Sequence, residues 1–183
     1  MNISPDLLSK LKEVTTDAAR RAQGALSKLI GIAVDLEMVD TRLIEVDKLV
    51  AILATPQTRV SAVILSVHGE GSGVSALIMS LGESRRLAEL VSKQPLAPEE
   101  ELDVMGVSVI KETGNVIGGS FLTALSDTVG ISLVQSPPEL VVDTMTGVID
   151  ATVARLPSGK GVQSVAIEID FSLSVSTTTT TTK

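Results

Sequence analysis

The chain has 183 residues, of which 44% are hydrophobic and only 1% aromatic, with a net charge of −7 and no cysteine. This length and apolar content predict a single domain with an aliphatic core. The acidic balance and the scarcity of aromatic side chains argue against a nucleic-acid partner, and the lack of cysteine excludes disulfides and thiolate chemistry. The lack of cysteine also suits a cytoplasmic protein. No apolar run approaches the roughly 20 residues that span a bilayer, so we expect no membrane span.

The predicted elements are typical of an α+β domain, with helices on one face of a mostly antiparallel sheet. Apolar residues at helical spacing predict a first helix over 5–30, which ends at Gly31. The other predicted elements, in chain order, are a strand over 32–39, a short helix over 46–53, a hairpin of strands over 59–67 and 74–80, a helix over 83–93, a long helix over about 98–128, a strand over 131–135, a helix over about 146–156 and a strand over 162–175. We assign residues 1–175 to one domain and residues 176–183 to a low-complexity tail.

Two segments of the chain resemble each other. EVTTDAARRAQGALSKLIGI (13–32) and ETGNVIGGSFLTALSDTVGI (112–131) align without a gap at an offset of 99 residues. They share a glutamate at the start, Ala-Leu-Ser in the middle and Gly-Ile at the end. This pattern predicts an internal duplication, with the two long helices related by a pseudo-two-fold axis.

The second segment carries three glycines within two helical turns: Gly114, Gly118 and Gly119. Each glycine inside a helix costs roughly 0.5–1 kcal/mol relative to alanine. Close approach of another backbone explains them, either that of the repeat-related helix near the pseudo-axis or that of a docked partner protein. Tight internal packing explains Gly118 and Gly119 equally well, and a small residue at 114 also leaves room for an approach to its neighbours.

Glu112 and Asn115 lie three residues apart, so both side chains project from one face of the long helix. One interpretation is a solvated glutamate and a locally hydrogen-bonded asparagine. In the alternative, the amide orients a water molecule while the carboxylate anchors a cationic group, which suffices for water-directed phosphoryl transfer. The single histidine, His68, precedes a glycine-rich turn and is therefore interpreted as solvent-exposed. One histidine without cysteine cannot supply a zinc site.

The stretch KETGNVIGGSFLTALSDTVGI resembles the second Glu-x-x-Asn helix of the CheC family of chemotaxis phosphatases, relatives of CheX and FliY. The first helix, the hairpin and the final strand are similar to the family's layout over nearly the whole domain. The resemblance implies a hydrolase that acts on the aspartyl phosphate of a CheY-type response regulator in signal transduction. It also implies that Asn115 orients the attacking water and Glu112 pairs with the regulator's lysine. The Mg²⁺ would belong to the regulator, with no cofactor or metal bound by this chain.

The first copy departs from the family's pattern. It has Glu13 and Thr16 in place of Glu-x-x-Asn, and Arg20 and Arg21 where the family has small residues. Threonine has a shorter reach and no amide, and a displacement of about 1 Å can cost on the order of 10²-fold in rate. We therefore predict one working site in the second copy and a degenerate site at Glu13 and Thr16. The two arginines are interpreted as the solvated face of the first helix, with an acidic partner as the alternative.

Two functions without catalysis remain open from the sequence. The first is a binding module that regulates a response regulator or a CheD-type receptor deamidase, since one copy already lacks its amide. The second is a structural adaptor at a motor or receptor array. A duplication within one chain is compatible with a monomer, but the sequence does not fix the oligomeric state.

Overall fold

The computed structural model describes residues 5–45, 57–96, 102–156 and 165–175. Four α-helices and six β-strands follow one another within these ranges. They are α1 Pro5–Ile30, β1 Val34–Glu45, β2 Arg59–Gly69, β3 Gly73–Ser80, α2 Leu81–Ser92, α3 Val104–Val129, β4 Leu133–Gln135, β5 Glu139–Thr144, α4 Met145–Val153 and β6 Val165–Val175.

The strands form two antiparallel sheets, which confirms the predicted α+β class. In the larger sheet, β2 pairs with β3 along one edge and with both β5 and β4 along the other. The β4 and β5 pairings join at Ser66, whose backbone oxygen accepts from the Ser136 amide at 2.8 Å. The smaller sheet is the β1–β6 pair, whose register shifts between Met38 and Asp40.

Strand β2 is the centre of the fold because helices cover both of its faces. Alternate residues of a strand point to opposite faces, and its apolar run VSAVIL over 60–65 is buried throughout. On one face, Val63 joins the core formed with α1, α2 and α3. On the other face, Val60, Ala62 and Ile64 pack with Val148 of α4. The two long helices therefore share one side of the sheet, as predicted. The short helix α4 covers the opposite side, so the prediction that the helices all lie on one face needs correction.

The ends of α3 are set by local hydrogen bonds. The Oδ1 atom of Asp103 accepts from the Gly106 amide at 2.6 Å and caps the N-terminus. At the C-terminus, Gly130 has φ +73°, which favours glycine, and its amide donates to the Ser126 carbonyl oxygen at 2.8 Å. These caps determine where the helix that carries Glu112 and Asn115 begins and ends.

The two long helices match each other closely. Both have 26 residues, and both their first and last residues are 99 positions apart. Gly31, which follows α1, has φ +76°, close to the value at Gly130. This geometry is consistent with an internal duplication, which stays a prediction.

Three element predictions need correction, and two fall outside the described residues. β1 runs to Glu45 rather than to 39, α3 begins at Val104 rather than near 98, and β5 was not predicted. Residues 139–144 are extended because they pair with β2, and this non-local pairing leaves no clear local pattern after the two prolines. The helix predicted over 46–53 and the tail over 176–183 lie outside the described residues.

Candidate functional site

Glu112 and Asn115 lie in the middle of α3, on its partly solvent-facing side. Glu112 is exposed and Asn115 is half-buried, whereas Thr113 and Gly114 between them are buried. The four residues follow helical periodicity, since positions 112 and 115 share a face that differs from the face of 113 and 114. The acid and the amide are therefore neighbours at the surface, and neither points fully into the aliphatic core.

The side chain of Asn115 is held by Gln135, the last residue of β4. The Nε2 group of Gln135 donates to Asn115 Oδ1 at 2.6 Å and also to the Asn115 backbone carbonyl oxygen at 3.3 Å. The sequence predicted 131–135 as a strand but did not identify Gln135 as part of the site. Its contact with Asn115 crosses from a strand to a helix, which no local pattern signals.

Gly114 and Gly118 of α3 face the sheet, not another helix. A Cβ atom at position 114 would lie 2.5 Å from Val63 Cβ, and one at position 118 would lie 2.5 Å from Leu65 Cδ1. The explanation by close approach of the repeat-related helix is therefore wrong, and tight internal packing is correct. Gly114 is buried against β2, so it does not clear a path to Glu112 and Asn115.

The first copy of the motif is on the outer face of α1. Glu13 and Thr16 are both exposed, and Thr16 Oγ1 donates to the Lys12 carbonyl oxygen at 2.7 Å. The hydroxyl is thus engaged by its own helix. A shallow groove of about 460 Å³ lies along this face, lined by Ser9, Lys12, Glu13, Thr16, Asp17 and Arg20.

Arg20 and Arg21 both pair with Asp17, as charged residues of an exposed helix face often do. Arg20 Nη2 lies 2.5 Å from one carboxylate oxygen of Asp17 and Arg21 Nε lies 2.6 Å from the other. The hydrogen bond from Arg20, followed in size of effect by the one from Arg21, holds the pKa of Asp17 below its ordinary value. Arg21 also reaches Asp127 of α3 at 2.9 Å. The second arginine therefore links the two long helices in addition to facing solvent.

The other candidate groups for chemistry are His68 and the acidic side chains outside the two motifs. His68 is exposed near the end of β2, as predicted. Within the described residues, no group of three or more His, Asp or Glu side chains is arranged to hold a metal ion. Among the helices of those same ranges, none has the length and apolar character that crossing a bilayer requires.

Known proteins include a sequence relative of this chain and several solved structures of the same fold. The chain is 28% identical over 168 residues to the CheY-P phosphatase CheC of Bacillus subtilis (strain 168), in an alignment that covers 91% of this chain and 80% of that protein. No protein-family model matches the chain.

Two solved structures illustrate the shared fold. Thermotoga maritima FliY matches with a TM-score of 0.71 at 20% identity, covering 96% of this chain and 86% of that chain. A chain of the CheX–CheY–BeF3–Mg²⁺ complex from Borrelia burgdorferi matches with a TM-score of 0.55 at 18% identity, covering 90% and 95%. At these identities the structural matches establish the fold alone. The chain is therefore similar in sequence to a CheC protein and shares its fold with FliY and with a chain of the CheX–CheY complex.

Proposed function

We propose that this chain hydrolyses the aspartyl phosphate of a CheY-type response regulator in the cytoplasm. The observation that carries the proposal is the surface pair on α3, in which Glu112 is exposed and the Asn115 amide is held by Gln135. The CheC relative, described as a CheY-P phosphatase, supports the same activity. A protein of this fold is also found in a complex with CheY.

Asn115 would position the nucleophile. An amide oxygen has two lone pairs, and Gln135 uses one of those on Oδ1. A water that donates to the second lone pair turns its own lone pair away from the amide and towards phosphorus. A neutral amide serves this purpose without repelling the phosphoryl oxygens. The water oxygen then bonds to phosphorus as the bond to the aspartyl oxygen breaks, which releases phosphate and regenerates the carboxylate.

Glu112 would bind the partner. Its carboxylate is exposed, so it would be accessible to the active-site lysine of the regulator. The Mg²⁺ that neutralises the phosphoryl group would be held by the regulator. In this proposal, this chain supplies the amide that orients water and the carboxylate that binds the regulator's lysine. The regulator supplies the metal and the phosphoryl group.

Reversal of the charge at position 112 is expected to weaken binding of the phosphorylated regulator. We expect Glu112→Lys to raise KM about 10-fold with a smaller change in kcat, because it places like charges together at the interface. Glu13→Lys is the matched control, since it makes the same charge change on the equivalent exposed position of α1. Steady-state release of phosphate from a phosphorylated receiver with Mg²⁺ measures both variants. Equal KM values for the two variants would contradict the role of Glu112.

A non-catalytic binding module is the second candidate. The exposed first copy favours it, because Thr16 has no amide and its hydroxyl is engaged by Lys12, yet a groove lies along this face. Such a module would regulate a response regulator or a CheD-type deamidase by docking. Binding of the phosphorylated receiver without faster release of phosphate would favour this function over hydrolysis.

A further inference from the structure

The amide of Gln135 lies beneath α3 and has a defined orientation. Its Nε2 group points at two oxygens of Asn115, the side-chain Oδ1 and the backbone carbonyl. The backbone carbonyl oxygen is an acceptor whichever way the Asn115 amide is turned, so this contact favours Nε2 over Oε1 on the side that faces Asn115. Oε1 is buried and has no hydrogen-bond partner among the described residues. The Gln135 side chain therefore donates to Asn115, while its own acceptor, Oε1, stays without a partner among the described residues.

The helix makes room for this amide. A Cβ atom at position 119 would lie 3.3 Å from Gln135 Nε2, and one at position 118 would lie 3.7 Å from Gln135 Oε1. Position 119 is therefore in tight contact with the Nε2 group, whereas the distance at position 118 is an ordinary van der Waals contact and that glycine is required by Leu65. A larger residue at 119 would press on the Nε2 group that contacts Asn115.

The first copy of the repeat lacks each part of this arrangement. At the same offset of 99 residues, Thr16 corresponds to Asn115 and Leu36 to Gln135. Arg20 takes the position of Gly119. The supporting amide and the space for it thus occur in the copy that has the asparagine and are missing from the copy that has lost it. This coincidence is hard to explain if Gln135 only fills space.

We infer that Gln135 is a positioning residue, which fixes the Asn115 amide in the orientation that holds the attacking water. The inference rests on the proposed phosphatase function. By occupying one lone pair of Oδ1, Gln135 leaves the other aimed outward and prevents rotation of the amide about χ2. Preorganisation of this kind lowers the barrier without any contact between Gln135 and the substrate.

The first test replaces Gln135 by methionine, which keeps the length of the side chain and removes its donor. We expect kcat to fall about 10- to 100-fold, while KM for the phosphorylated receiver and the melting temperature stay close to the wild-type values. Gln23→Met is the control, because Gln23 is also half-buried and, within the part of the chain that the structure describes, its Oε1 accepts from the Leu36 backbone amide and does not contact Asn115. A wild-type kcat in Gln135→Met would overturn the inference. Gln135→Leu, which copies the first repeat, replaces the methionine variant if that protein does not fold.

A double mutant shows whether Gln135 acts through Asn115. In an Asn115→Ala background, Gln135→Met is expected to cause no further loss of kcat, because the group that it positions is gone. Equal losses in both backgrounds would mean that Gln135 acts independently of Asn115, which is contrary to the inference.

Nuclear magnetic resonance separates failure of this inference from failure of the proposed function. Couplings and relaxation of the Asn115 side-chain amide are expected to report one rigid rotamer in the wild type and averaging in Gln135→Met. If the wild type does not accelerate phosphate release, the phosphatase proposal fails, and these spectra still decide whether Gln135 holds Asn115. An equally rigid amide in both proteins would rule out the positioning role.

An attempt to restore the first copy of the motif gives a further prediction. Thr16→Asn in the Asn115→Ala background is expected to raise the residual activity less than about 2-fold, because Leu36 cannot hold the new amide and loss of orientation by about 1 Å is costly. Initial rates of receiver dephosphorylation measure this effect. Restoration to near the wild-type rate would show that the asparagine needs no supporting amide.

Discussion

Asn115→Ala is expected to lower kcat for receiver dephosphorylation about 100-fold, with little change in KM. In the proposed mechanism this amide orients the water, and loss of one preorganised hydrogen-bonding group from an active site costs on the order of 10²–10³ in rate. We expect the truncated protein to fold, because Asn115 is half-buried and its Oδ1 bonds only to Gln135 among the described residues. Single-turnover loss of phosphate from a phosphorylated receiver with Mg²⁺ provides the measurement.

The matched control for this variant is Thr16→Ala, the same truncation at the equivalent position of α1. Thr16 is exposed and its hydroxyl bonds to its own helix, so we expect the rate to stay within about 2-fold of wild type. Equal rates for Asn115→Ala and the wild type would remove Asn115 from the mechanism. A large loss in Thr16→Ala would instead show that the first copy is active.

Gly114→Ala is expected to lower the free energy of unfolding by about 1–3 kcal/mol, which is the usual cost of overpacking a core. Alanine is the better helix former by roughly 0.5–1 kcal/mol, which by itself would stabilise the variant. We expect a net loss of stability because the added methyl group overpacks the core. The new methyl group would lie 2.5 Å from both Cβ and Cγ1 of Val63, which is fully buried on the central strand. Because Val63 is short and branched, it cannot rotate clear, and α3 must move away from the sheet.

Gly24→Ala provides the comparison for this stability measurement. Gly24 lies inside α1 and is exposed, and a methyl group added there would meet no neighbouring side chain or element within 4 Å. We expect this variant to raise the free energy of unfolding by about 0.4–1 kcal/mol, because only the conformational terms change. Urea denaturation of the two variants measures both effects. Stabilisation by both substitutions would mean that Gly114 does not govern the approach of α3 to β2.

Local patterns in the sequence predicted most of the elements that carry the site. Apolar spacing and the glycines that follow α1 and α3 define these helices, and alternation of β-rich residues defines the β2–β3 hairpin. The strand β5 was missed because its six residues, ELVVDT, are short and are stabilised by pairing with a strand about 80 positions earlier in the chain. The start of α3 was placed too early because its true boundary is marked by a side-chain cap at Asp103.

The glycines of α3 show why a correct observation can receive the wrong explanation. Three glycines within two turns indicate close packing, but the sequence does not identify the element that packs against them. The structure places Gly114 and Gly118 against Val63 and Leu65 of β2, so the partner is the sheet. A glycine in a helix indicates that another group packs closely there, whereas the packing of the whole domain determines which element supplies that group.

The amino-acid sequence alone determined the helix that carries Glu112 and Asn115, their shared face and the altered first copy, because these depend on spacing within a single helix. Only the tertiary structure brought Gln135 beneath that helix, 20 residues further along the chain, where its amide can hold Asn115. Periodicity describes contacts within an element. The orientation of a side-chain amide depends on atoms from another element, and these meet only when the helix closes onto the sheet.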